Sequence, residues 1–181
     1  NRATQALRQT GSSFKPFVYA SALNIGWSPM DYVDDSPLTL NIPGSGAWTP
    51  SNYDNEFKGV IPIYQAMQES RNIPAVKIAM AVGLDSVRNT ARGFGISGDL
   101  AAGPALALGV SESTLLDMTG AFAGILNGGS EVAPYGLTDL RFIGDNTTLM
   151  DAQGAGIGER IIRQEAAQQL TWMMSKVVEE G

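Results

Sequence analysis

Between Ser12 and Ile25 the apolar residues Phe14, Phe17, Val18, Ala22 and Ile25 recur at i, i+3 and i+4 spacing, and Gly26 stands where a helix C-terminus takes a glycine. The spacing predicts a helix. Pro16 fixes where that helix starts, because a residue without an N–H does least harm in the first turn. Ser12 is therefore expected at the helix N-terminus, with Lys15 three residues on and sharing its face. Free backbone N–H groups and the positive end of the helix dipole favour negative charge there. An acyl-transfer oxyanion needs that setting.

A hydroxyl beside an amine can be an activated nucleophile when the lysine is held neutral. The pair stands out because the chain has no histidine and no cysteine. A Ser-His-Asp triad, a thiol nucleophile and the common zinc sites are thereby excluded from it. No metal site or cofactor is implied. Taken alone, the stretch also fits a serine cap followed by a solvated first-turn lysine.

The 181 residues suit one domain with a sizeable core, 44% hydrophobic and 17% charged. A net charge of -6 without a basic run argues against nucleic acid, which needs clustered lysine and arginine. The absence of cysteine excludes disulfides without locating the protein. No apolar stretch approaches the ~20 residues of a spanning helix; Ile73 to Val82 is interrupted by Pro74 and Lys77. Asn1-Arg2-Ala3-Thr4 offers neither an initiator methionine nor an export start. The sequence stops straight after the helix-like Val177-Val178-Glu179-Glu180. It is expected to be part of something longer.

Beyond the first helix, residues 27 to 60 carry Pro29, Pro37, Pro43, Pro50 and three glycines, and are expected to be irregular. A loop of that length in a compact domain usually has a task. Trp48, Tyr53 and Phe57 are its expected anchors. Helical patterning resumes from Pro62 to about Gln68, with Ile63, Ala66 and Met67 inward. It breaks at Glu69-Ser70-Arg71-Asn72 and restarts with Pro74 near its beginning, Asn72 as N-cap and Val76, Ala79 and Met80 following. Ser70 and Asn72 flank that turn, where polar side chains can point into a cleft. Asp85 is read as the cap of a short helix to Arg92, and residues 97 to 110 as a buried connector. Ser111 or Ser113 is read as the cap of a helix to Leu126, in which Gly120 and Gly124 admit a second helix. Thr138, Leu140, Phe142 and Ile143 suggest a strand, with Gly144-Asp145-Asn146 turning into Thr147-Thr148-Leu149 as a hairpin. An amphipathic helix from about Arg163 places Ala166, Leu170, Met173, Met174 and Val177 inward. The fold class is mainly α with a small β component.

The pattern Ser-x-x-Lys is expected by chance about 0.3 times at this composition and Ser-x-Asn about 0.7 times. Each occurs once, in the order Ser12-Ser13-Phe14-Lys15 and Ser70-Arg71-Asn72. Gly11-Ser12-Ser13-Phe14-Lys15-Pro16 with Ser70-Arg71-Asn72 resembles the transpeptidase domain of penicillin-binding proteins, most closely the class A, bifunctional ones. Asn1-Arg2-Ala3, Arg8-Gln9, Trp48-Thr49-Pro50-Ser51-Asn52-Tyr53, Phe57-Lys58-Gly59 and Ala105-Leu106-Ala107-Leu108-Gly109 extend the resemblance over nearly the whole chain. Thr10 departs from it, since the family often has proline there. The family's third motif, Lys-Thr-Gly or Lys-Ser-Gly, follows none of Lys15, Lys58, Lys77 or Lys176.

The resemblance implies the helical part of an α/β β-lactamase/transpeptidase-like fold, with residues 1–181 as a partial transpeptidase domain. It implies Ser12 as the nucleophile that attacks a peptidoglycan stem peptide, Lys15 as its base and Ser70 as a proton relay. Asn72 would hold Lys15 and the substrate amide, and the Ser12 backbone N–H would be one oxyanion donor. β-Lactam antibiotics would acylate the same serine. The family's setting is the outer face of the bacterial inner membrane, reached through segments upstream of this sequence. Three alternatives stand beside this reading: a serine β-lactamase, a β-lactam sensor and a helical module without catalysis. For a class A β-lactamase the deacylating glutamate would fall at position 123, four before Asn127, where this chain has alanine.

Overall fold

The computed structural model describes residues 1–144, 147–151 and 156–181. Helix makes up 43% and strand 18% of the described residues, mainly α with a small β component, as expected. Strand β1 (Arg8–Gln9) leads into a 3₁₀ turn (Gly11–Phe14) and helix α1 (Lys15–Asn24). Strands β2 (Tyr32–Asp35), β3 (Leu40–Ile42), β4 (Gly46–Trp48) and β5 (Gly59–Pro62) precede α2 (Ile63–Gln68), α3 (Asn72–Val82) and α4 (Leu84–Gly93). A second 3₁₀ turn (Pro104–Leu108) and β6 (Glu112–Ser113) lead to α5 (Leu115–Leu126). Then follow β7 (Ser130–Val132), β8 (Asp139–Arg141), β9 (Thr148–Asp151), β10 (Ile157–Arg160) and α6 (Gln164–Glu180).

Helix α1 is the axis of the molecule. Every residue from Lys15 to Leu23 is buried, and α3, α4 and α6 pack around it. A helix enclosed on all sides needs no polar face. The sequence spacing therefore identified one stripe of a helix that is buried all round, with Tyr19 and Ala20 also fully enclosed. Ser21 is accommodated because its hydroxyl donates to the Phe17 carbonyl (2.8 Å) and meets Thr90 Oγ1 at 3.0 Å. Ile25, counted on the inward stripe, lies past the helix end and is 60% exposed.

The described strands form antiparallel pairs: β1 with β6, β2 with β5, β3 with β4, β7 with β10 and β8 with β9. The region from 27 to 60 is thus more regular than its prolines and glycines suggested. Tyr32 to Asp35 aligns with Pro62 to Gly59 across more than twenty residues, a pairing that local composition cannot reveal. Of the three expected anchors, Trp48 packs against the core, whereas Tyr53 is fully exposed and Phe57 about half exposed.

The α5 cap is Thr114, whose hydroxyl accepts from the Asp117 N–H (3.0 Å), and Ser111 instead accepts from the Ala101 N–H (2.9 Å). Asp85 sits inside the first turn of α4, after Gly83 as N-cap, and pairs with Arg88. Gly120 and Gly124 do admit close neighbours, β7 and the end of α4: added Cβ atoms would meet Val132 O at 3.0 Å, and Ser130 O and the Phe94 ring at 2.8 Å. Val177, expected inward, is 39% exposed, while Ala166, Leu170 and Met173 are buried as expected. The hairpin of β8 and β9 forms. In its expected turn, Asp145 and Asn146 lie outside the described residues.

Candidate active site

The 3₁₀ turn before α1 carries Ser12 at its second position. The first N–H groups of such a turn have no partner within it. That of Gly11 is taken by the Gly109 carbonyl (2.9 Å), and the Thr10 N–H by Ser111 O (3.1 Å). Gly109 has φ +68, and a Cβ there would lie 2.0 Å from the Gly11 carbonyl oxygen. The end of the Ala105–Gly109 segment is therefore pressed directly against the serine turn, and only glycine fits.

Lys15 begins α1 and is 2% exposed. Its Nζ donates to the Ser70 carbonyl (2.5 Å), to Ser70 Oγ (3.0 Å) and to Asn72 Oδ1 (2.7 Å). Those three contacts account for all the hydrogens of an ammonium group. Burial first, and the nearby Arg71 charge second, lower the lysine pKa to about 8. At neutral pH roughly one lysine in ten is then an amine able to accept a proton.

Ser12, Lys15 and Ser70 line one cavity of about 370 Å³, whose apolar wall includes Met67, Phe122 and Met174. Clefts of about 460 and 520 Å³ open elsewhere, but neither is lined by a lysine that could serve as base. The structure brings all four sequence-predicted residues together: Ser12 and Ser70 on the cavity, and Asn72 on the buried lysine. Among the described residues, no group of three or more His, Cys, Asp or Glu could hold a metal ion.

Ser70 sits in the break between α2 and α3 with φ +51, a left-handed conformation that costs a non-glycine residue about 1–3 kcal/mol. Asn72 is the first residue of α3 and not its cap. Its side-chain amide donates to Ser51 O (2.8 Å), which leaves Oδ1 facing Lys15. The cap comes from Asn52, twenty residues away, whose Oδ1 accepts from the N–H groups of Asn72 (2.9 Å) and Ile73 (3.2 Å). Arg71, 4% exposed, points the other way. It donates to Asp35 (2.9 Å), Asp54 (2.5 Å) and Glu56 O (2.6 Å). Burial opposes its charge, but the bonds to Asp54 and Asp35 outweigh that and raise its pKa.

Sequence reasoning missed Asp35, Asn52 and Arg71 as supports of the site. Arg71 stood inside the Ser-x-Asn motif and Asn52 inside Trp48 to Tyr53, so both lay in stretches already singled out. Their mutual contact was not visible.

The model of the penicillin-binding protein transpeptidase domain matches residues 1–181, the entire sequence. This chain belongs to that family. Penicillin-binding protein 1A of Neisseria lactamica is 39% identical over 140 residues, 75% of this chain. The chain spans 17% of the length of that relative. The crystal structure of penicillin-binding protein 1A from Haemophilus influenzae superposes with a TM-score of 0.89 at 28% identity, over 100% of this chain and 31% of that one. PonA1 of Mycobacterium tuberculosis, in complex with penicillin V, gives 0.82 at 25% identity, over 94% and 47%. The class A resemblance and the transpeptidase-type fold read from the sequence hold. So does the mainly helical character of this part of it.

Proposed function

We propose that this chain carries the acylating half of a D,D-transpeptidase that crosslinks peptidoglycan. The carrying observation is the buried Lys15, hydrogen-bonded to Ser70 and Asn72 beside the cavity that Ser12 lines. In the amine form, Lys15 takes the Ser12 proton as Oγ adds to the carbonyl between the two terminal D-alanines. The Ser12 N–H stabilises the developing oxyanion. The C–N bond then breaks, Ser70 passes a proton to the leaving amine, and D-alanine departs. Asn72 holds Lys15 and the substrate amide. An amine of a neighbouring stem attacks the ester, forms the crosslink and releases Ser12. A β-lactam opens on the same serine but leaves no separate amine, so its ester persists. PonA1, with penicillin V bound, supports this part of the reading.

The shares of the relatives that this chain covers support a longer protein, from which a glycosyltransferase domain, a membrane anchor and the Lys-Thr-Gly strand would come. Among the described residues no helix is long and apolar enough to cross a membrane. The site would work on the outer face of the inner membrane, held there by the anchor. In the family the second oxyanion donor belongs to the Lys-Thr-Gly strand. Loss of one such donor costs about 10²–10³ in rate, so these 181 residues alone are proposed to have little turnover. Against a β-lactamase reading, Ala123 and Asn127 line a different cleft, without a carboxylate.

The test is labelled penicillin on the full-length protein, with the acylated peptide mapped by mass. The label is expected on Ser12, stable for longer than an assay, and absent in Ser12→Ala. A label elsewhere contradicts the reading, and rapid nitrocefin turnover replaces it with a β-lactamase.

A further inference from the structure

Asn52 is 2% exposed, and each side-chain hydrogen-bonding capacity is used. Its Nδ2 donates to Asp35 Oδ1 (2.7 Å) and to the Glu56 carbonyl (2.9 Å). Its Oδ1 receives the first two N–H groups of α3. The adjoining Ser51 carbonyl receives the Asn72 amide. Residues 51 and 52 thus fix both the backbone of Asn72 and the rotation of its side chain. Without that hold, the amide of Asn72 is free to turn its donor end to Lys15 in place of its acceptor. Asp35 is fully buried and joins this group to Arg71, so the residue between Ser70 and Asn72 is tied to the same carboxylate that holds Asn52.

The geometry points to Asn52 as a positioning residue for the reaction, clamped by Asp35 so that Ser70 and Asn72 present their acceptors to Lys15. The inference rests on the acyl-transfer reading of Ser12 and Lys15 and extends it to a residue that touches neither substrate nor nucleophile. A plain cap would affect how much protein folds, and not how fast each folded molecule reacts.

The experiment measures β-lactam acylation of the full-length protein, separating the binding constant from the acylation rate constant and normalising to the folded fraction. Asn52→Ala is expected to lower the rate constant about 100-fold, the effect of a misplacement near 1 Å, with binding little changed. Asn52→Asp keeps the acceptor toward α3 but sets a carboxylate against Asp35, and it too is expected to slow acylation. Adding Asp35→Asn restores a donor–acceptor pair between positions 35 and 52 with the polarity reversed, while the Glu56 carbonyl still lacks its donor, and is expected to recover part of the rate. An Asn52→Ala protein that acylates at the parental rate per folded molecule overturns the inference. So does a double variant no faster than Asn52→Asp, and that pair decides the matter if Asn52→Ala does not fold. Ser12→Ala is run alongside: loss of its label upholds the underlying reading whatever Asn52 does, and a retained label overturns both.

Discussion

The turn that carries Ser12 and the turn that carries Ser70 line one cavity, yet they are held by different means. The Ser12 turn is held mainly backbone to backbone, by Gly109 and Ser111 carbonyls on the N–H groups of Gly11 and Thr10, with the Thr10 hydroxyl on the same carbonyls (3.3 Å each). The Ser70 turn is held by buried polar side chains, Asp35, Asn52 and Arg71, from three separate stretches. The first arrangement tolerates changed side chains and fails when an atom is added at the contact. The second tolerates no loss of a charge or amide, since a buried polar group left alone costs far more than the bond was worth.

Gly109→Ala breaks the first wall most severely. Left-handed strain of about 1–3 kcal/mol adds to overpacking of about 1–3 kcal/mol, and the obstructing atom belongs to backbone. A loss toward the upper end, about 6 kcal/mol, is expected in denaturant melts, with acylation of Ser12 lost too. Arg71→Ala breaks the second wall by leaving Asp35 without its buried partner, at about 3–5 kcal/mol. Replacing both members of the pair by leucine or methionine removes the buried charges but leaves the Asn52 donor without Asp35, so only part of that stability is expected to return while acylation stays slow. This outcome would show that the network serves position more than stability. Ser70→Gly relieves the backbone at φ +51 but takes an acceptor from buried Lys15, so stability is expected to change by less than about 1 kcal/mol while acylation slows. Thr114→Ala removes the cap of α5, whose hydrogen bond goes to Asp117 and to neither turn. About 1 kcal/mol of stability is the expected loss, with the acylation rate per folded molecule unchanged.

The same contrast explains how much could be read from the sequence. Ser12 and Lys15 are three apart, and Ser70 and Asn72 two apart, so local pattern placed them at a helix start and in a turn, and the family resemblance implied their roles. The capping of α3 by Asn52 and the pairing of β2 with β5 join residues twenty or more apart, where local pattern has no purchase. Asn72 looked like a cap because asparagine before a helix usually is one. Its side chain is diverted to Lys15 because Asn52 already occupies that role. Tyr53 and Phe57 looked like anchors on residue type alone. The loop is instead held by buried polar groups.

The claim on which the rest depends is that Lys15 is the base for Ser12. Its three contacts are those of an ammonium, and its pKa of about 8 is lowered by burial first and Arg71 second. Because the reactive form is the neutral amine, activity is gained as pH rises through that value and lost as it falls. The direct measurement is the acylation rate constant of the full-length protein toward a β-lactam that does not itself titrate, followed from about pH 6 to about pH 9. The account predicts a rise of about tenfold per pH unit below 8 and a plateau above it. A rate constant independent of pH across that range, or one retained in Lys15→Ala, would contradict it.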